Sequence, residues 1–144
     1  MKKQIQFLVL LTIVCFSGCH KDPEPNPEPD KEQEYLQRLK ATWTLQKAMV
    51  DAVDVTDAFG DLILIIEGKT FTVQNQVAPL WPASGSYTLS PDPSSDNFKL
   101  IRGDGMEMKV QQLSSTVLTI EMLYQYSGGR TTSVSGKHEF FFTK

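Results

Sequence analysis

Met106-Glu-Met-Lys-Val-Gln111 alternates apolar and charged or polar side chains without a break. Successive side chains of a strand point to opposite faces, so this period of two predicts a half-buried strand with Met106, Met108 and Val110 inward. The same period continues toward the C-terminus. Leu118, Ile120, Met122, Tyr124 and Tyr126 form one alternating set, and His138, Phe140 and Phe142 oppose Glu139, Phe141 and Thr143. Toward the N-terminus, Phe98 to Arg102 runs into Gly103-Asp-Gly105, whose glycines suit a hairpin loop. Before it stand the turn-rich Pro91-Asp-Pro-Ser-Ser-Asp-Asn97 and the alternating Ser86-Tyr-Thr-Leu89. Phe71 and Val73 share a face within Phe71 to Asn75, which Gly68-Lys69 joins to the apolar run Leu62 to Glu67. Trp43, Leu45 and Met49 mark the first strand, with Lys47 out of phase on that face.

Eight short strands joined by turns, with no helix between them, predict an all-β, antiparallel, up-and-down meander. An open meander leaves two unpaired edges, and closure into a barrel removes them. Eight strands suit a small barrel whose interior holds side chains or one small ligand. A two-sheet sandwich is the alternative, disfavoured by the absence of a long crossover connection.

The segment before the strands falls into three parts: 1–18, 19–30 and a helix over 31–40 that opens the barrel domain 31–144. Asp30 is placed to cap the helix, and Tyr35, Leu36 and Leu39 fall on one face. A helix this short must pack against the barrel to persist. Asp22 to Asp30 alternates proline with polar residues, which favours polyproline II. From His20 to Asp30 it would span roughly 34 Å at ~3.1 Å per residue. The N-terminus has a cationic start at Lys2 and Lys3 and an apolar run from Phe7 to Phe16. That run is shorter than the ~20 residues a transmembrane helix needs, and it fits the core of a secretory signal.

Phe16-Ser-Gly-Cys19 resembles a bacterial lipobox, with Phe16 in place of the usual leucine. The resemblance implies cleavage before Cys19 and acylation of that residue, anchoring the chain to a membrane. The absence of Asp directly after Cys19 favours the cell outer membrane, facing either the periplasm or the outside.

Leu39-Lys-Ala-Thr-Trp43 resembles the Leu-x-Gly-x-Trp opening of the lipocalins, Ala41 standing where the family has glycine. The resemblance spans Leu36 to Lys144. It implies a lipocalin-like barrel in which Trp43 plugs the closed end and a cation near the last strand packs over it. Arg130 and Lys137 are the two candidates.

Composition narrows the chemistry. Lys and Arg total 14 against 17 Asp and Glu, a formal charge of −3, or −5 without Lys2 and Lys3. With no grouped basic residues, nucleic acid is a poor partner. Both cysteines, Cys15 and Cys19, precede the domain, which therefore has no disulfide or catalytic thiol of its own. Asp51, Asp54, Asp57 and Asp61 recur without the alternate-residue spacing of an EF-hand loop, and read as a solvated acidic loop rather than a metal site. His138 is the only histidine beyond the tether and lacks a nucleophile motif, so no catalytic residue, cofactor or enzyme activity is expected.

Ala78-Pro-Leu-Trp81-Pro82 places an aromatic between prolines in a connecting segment, and Trp81 either lines the barrel mouth or caps the core. The leading functional expectation is a small, largely apolar ligand buried against Phe71, Trp81, Tyr87, Met108, Met122 and Tyr124. The alternative is a filled barrel that contacts another envelope protein or a glycan through its loops. Aromatic and methionine side chains inward in so short a chain imply that any cavity is small.

Overall fold

The computed structural model describes residues 30–92, 97–125 and 135–144. The signal-like segment, Cys19, the proline-rich tether up to Pro29, Tyr126 and Arg130 lie outside the described residues.

A helix α1 (Lys31–Leu39) precedes strands β1 (Ala41–Val50), β2 (Val53–Asp54), β3 (Ile63–Glu67), β4 (Thr70–Gln74) and β5 (Ser84–Pro91). Strands β6 (Phe98–Arg102), β7 (Glu107–Leu113), β8 (Val117–Tyr124) and β9 (Gly136–Thr143) follow. From β3 onward each strand pairs antiparallel with the next; β3 also pairs with β1, and β1 with β9, closing one sheet into an eight-stranded up-and-down barrel. The ninth strand, β2, is a short ribbon added to β1. Closure rules out the stacked two-sheet arrangement.

Inward positions follow the sequence alternation. Met108 and Val110 on β7, Leu118, Ile120 and Met122 on β8, and His138, Phe140 and Phe142 on β9 are all buried. Burial of each large apolar side chain contributes about 1.5–3 kcal/mol, and their rows form one continuous core. Lys47 breaks the phase of β1 for a local reason. A bulge between Leu45 and Lys47 shifts the register against β9. An extra residue turns the following side chains over, so Ala48 and Val50 face the core while Met49 is only half-buried. A second bulge, between Val110 and Gln112, returns Leu113 to the interior.

The β2 ribbon was not anticipated from sequence. Asp51 and Ala52 connect it to β1 with φ of 46° and 69°. Both positive values suit a two-residue turn whose twist matches the strands, although glycine or asparagine usually supplies them. Side-chain bonds stitch the turn in place. Asp51 accepts from the Lys137 backbone N–H at 3.0 Å, and Asp54 accepts from the Thr56 hydroxyl at 2.6 Å. Thr56 Oγ1 in turn accepts from the Ala48 N–H at 3.0 Å. Two of the four aspartates thus organise the loop, while Asp57 and Asp61 are exposed.

Candidate functional site in the barrel lumen

Both ends of the lumen are stoppered, each by a tryptophan. At the first end, Asp30 caps α1 by accepting from the Glu32 N–H at 3.1 Å, and the helix buries Tyr35, Leu36 and Leu39. Its contacts reach around the rim. Arg38 donates to the Leu113 carbonyl at 2.6 Å, Glu32 pairs with Lys69, and the Tyr35 ring meets Phe98 at 4.9 Å. Under the helix lies Trp43, fully buried, its indole N–H donating to the Leu39 carbonyl at 2.9 Å. The Lys144 ammonium sits 5.1 Å from the centre of the Trp43 ring, within cation–π range. This corrects the expectation for Lys137, one of the two candidates for the covering cation. Lys137 is at the opposite end of β9, paired with Glu121 and Glu139, and the terminal Lys144 takes the place over the ring.

The second end is closed by the connection between β4 and β5. Val77 and Trp81 exchange backbone hydrogen bonds of 3.0 and 2.8 Å, forming a tight loop that includes a cis Ala78–Pro79 bond. The loop drives the Trp81 ring into the barrel, edge-on to Phe140 at 5.2 Å and Phe142 at 5.7 Å. Trp81 is therefore a core residue. Its buried indole N–H has no hydrogen-bond partner.

Arg102 ties that loop down. It ends β6 on the inward face and is itself buried. Nη1 donates to the Leu80 carbonyl and Nη2 to the Pro79 carbonyl, the latter at 3.0 Å. The other edge of the guanidinium grips Asp104, with Nε donating to Oδ1 at 2.9 Å and Nη2 to Oδ2. The hydrogen bond from Arg102 holds the Asp104 carboxyl below the usual carboxylate range. Arg102 is not among the site residues expected from sequence. The signal was its position on the same alternate face as Leu100, an arginine in an inward phase.

Between the two stoppers remains a cavity of about 10 Å³ bordered by Leu64, Ile66, Phe71, Trp81, Tyr87, Leu100, Met108 and Ile120. That is room for about one water molecule, and the lining offers little to hold it. Four of the six expected ligand contacts, Phe71, Trp81, Tyr87 and Met108, border this space. Met122 is buried elsewhere in the core. Tyr124 is half-buried, its ring edge-on to His138 at 6.2 Å. Tyr87 donates from its hydroxyl to the Gly68 carbonyl at 2.6 Å, and burial pushes its pKa up. The Phe71 ring lies over Gly85 so closely that a Cβ there would stand 2.6 Å from Cζ, so the glycine makes room for the ring.

His138 is buried and stacks on Phe140 at 6.1 Å, consistent with a structural place in the core. Among the described residues no three His, Cys, Asp or Glu side chains converge as a metal-binding group. No described helix is long and apolar enough to cross a membrane. No family model, curated protein or solved structure matches the chain.

Proposed function

We propose that this chain is a lipid-anchored, lipocalin-like protein of the outer membrane, working as a filled-barrel interaction module. One observation carries the reading. The lumen offers about 10 Å³, whereas small-molecule pockets run to roughly 300–1,000 Å³. A barrel this full has its outside as its working surface.

The polarity of the molecule supports the same reading. The tether would enter at α1, so acylation of Cys19 would hold the barrel by the Trp43 end. The rim away from α1 carries Val53 and Leu123, 63% and 64% exposed, the most exposed large hydrophobics described. Val53 stands on the β2 ribbon and Leu123 near the end of β8, with β1 and β9 between them. Beside Leu123 an open depression runs along Asp104, Met106, Glu107 and Tyr124. This rim is the contact face for another envelope protein or a glycan. The lipocalin likeness rests on the barrel, on the helix leading into β1 and on Trp43 beneath it.

Two measurements test the proposal. Labelled palmitate should appear on the mature chain and vanish with Cys19→Ala. A photo-crosslinking side chain at position 123 should give a discrete adduct in intact envelopes, and one at position 69, beside α1, should not. Equal adducts from both ends, or none from the rim, would refute the module reading.

A further inference from the structure

We infer that the rim away from α1 binds a basic protein segment whose apolar side chains stand between lysines or arginines. The inference rests on the rim reading above and narrows it from a protein or a glycan to a cationic peptide chain. Each exposed apolar side chain at this end stands among carboxylates. Val53 lies in the β2 ribbon between Asp51 and Asp54. Leu123 points outward on β8, two residues beyond Glu121, which faces Glu139 across the sheet. The depression beside Leu123 has Asp104 and Glu107 on its walls, with Met106 and Tyr124 between them. An apolar anchor within a polar border is the usual layout of a protein contact. Here the border is anionic.

The sign of the rim survives its internal pairing. Asp57 and Asp61, between β2 and β3, are exposed and have no ion-pair partner among the described residues. Glu121 and Glu139 share the single ammonium of Lys137, at 3.9 and 3.3 Å, which leaves a surplus negative charge. Asp54 pairs with Lys47 at 3.8 Å and Glu107 with Lys99 at 3.1 Å. Surface pairs of this kind are worth little in water, so either carboxylate can turn to an incoming cation at small cost. Asp104 stays with buried Arg102 and takes no part. Arg130 is the one charged residue of the β8–β9 connection, and adding it leaves the excess negative. At the α1 end, by contrast, Lys31, Arg38, Lys40, Lys69 and Lys144 offset the carboxylates. An anionic face repels acidic glycans and anionic lipid headgroups and speeds encounter with a cationic segment. Val53 and Leu123 stand three strand spacings apart, about 14 Å. An extended chain covers that distance in about four residues, which sets the spacing of its apolar side chains.

Titration of the full chain with acetyl-Lys-Leu-Lys-Ser-Lys-Leu-Lys-amide, and with a counterpart bearing glutamate for every lysine, tests the inference. The basic peptide should shift the amide resonances of Val53 and Leu123, leave that of Trp43 in place, and bind at least about tenfold more tightly than the acidic one. Raising salt from about 50 to about 500 mM should weaken it about tenfold. Leu123→Ser should cost at least about tenfold in affinity. The double variant Asp57→Asn, Asp61→Asn should cost about threefold and flatten the salt dependence. All three positions are exposed, so the variants should keep the wild-type unfolding midpoint. A basic peptide that fails to bind, binds no better than the acidic one, ignores salt or shifts the α1 end instead overturns the proposal. The crosslink at position 123 keeps the two readings apart: an adduct with a glycan or an acidic protein upholds the module and refutes the basic partner.

Discussion

Trp43 and Trp81 are equally inaccessible to solvent, yet the barrel holds them by different means. Trp43 belongs to a strand, has its N–H bonded to Leu39, is covered by α1 and carries Lys144 over its face. Trp81 belongs to a loop, has no partner for its N–H, and stays in place because one arginine holds the preceding carbonyls. An unpaired buried donor costs about 1–3 kcal/mol, so the second stopper gives back part of what its ring burial contributes. The first end is built as permanent structure. The second is closed by a connection between two strands rather than by a strand residue.

The largest expected effect separates the two directly. Trp43→Ala should lose about 3–5 kcal/mol in denaturant unfolding, the usual cost of deleting a buried large aromatic. Trp81→Ala should lose at least about 1 kcal/mol less, because it also deletes the unpaired donor. Equal losses would break the distinction between the ends. Next comes Arg102→Lys, which keeps the charge and loses the fork. It should cost about 1–3 kcal/mol and accelerate hydrogen exchange at the Val77 and Trp81 amides, leaving amides near Trp43 unchanged. Uniform acceleration would mean that Arg102 supports the whole barrel.

A smaller effect runs the other way. Ala52→Gly should raise stability by about 1 kcal/mol, since glycine carries positive φ without strain, and should not discriminate between the ends. The smallest concerns pH. The carboxyl of Asp104 is depressed in the folded state by its bond from Arg102. Its contribution is therefore present above the unfolded carboxylate pKa and lost as pH falls through the lower folded value. Asp104 is more than half exposed, so solvent screening keeps this contribution small. Exchange at the Trp81 amide should quicken in acid before that at Trp43, and Asp104→Asn should remove the difference.

Legibility from sequence divides along the same line. The alternation of Met106 to Gln111 and of His138 to Thr143 placed two strands and their inward faces correctly, because period two is a property of the extended backbone itself. Tyr35, Leu36 and Leu39 likewise identified the buried face of α1. Lys47 was visible only as an exception, because the bulge depends on the β9 partner. The β2 ribbon escaped notice because Asp51 and Ala52 adopt positive φ without the residues that normally signal it. Arg102 stood in plain alternation with Leu100, but a lone inward arginine has no meaning until the loop carbonyls facing it are known. For the same reason spacing alone does not single out Lys144 as a cation over Trp43.

By itself the sequence determined which residues extend, which face of each strand is apolar and where the chain turns, since those follow from side-chain spacing and local φ, ψ preferences. Only the tertiary structure decided that the strands close, that the lumen is full, and that two tryptophans distant in sequence stopper opposite ends. Those outcomes depend on which surfaces meet. Contacts between segments tens of residues apart leave no local pattern, and volume within a barrel is settled only when every inward side chain is in place.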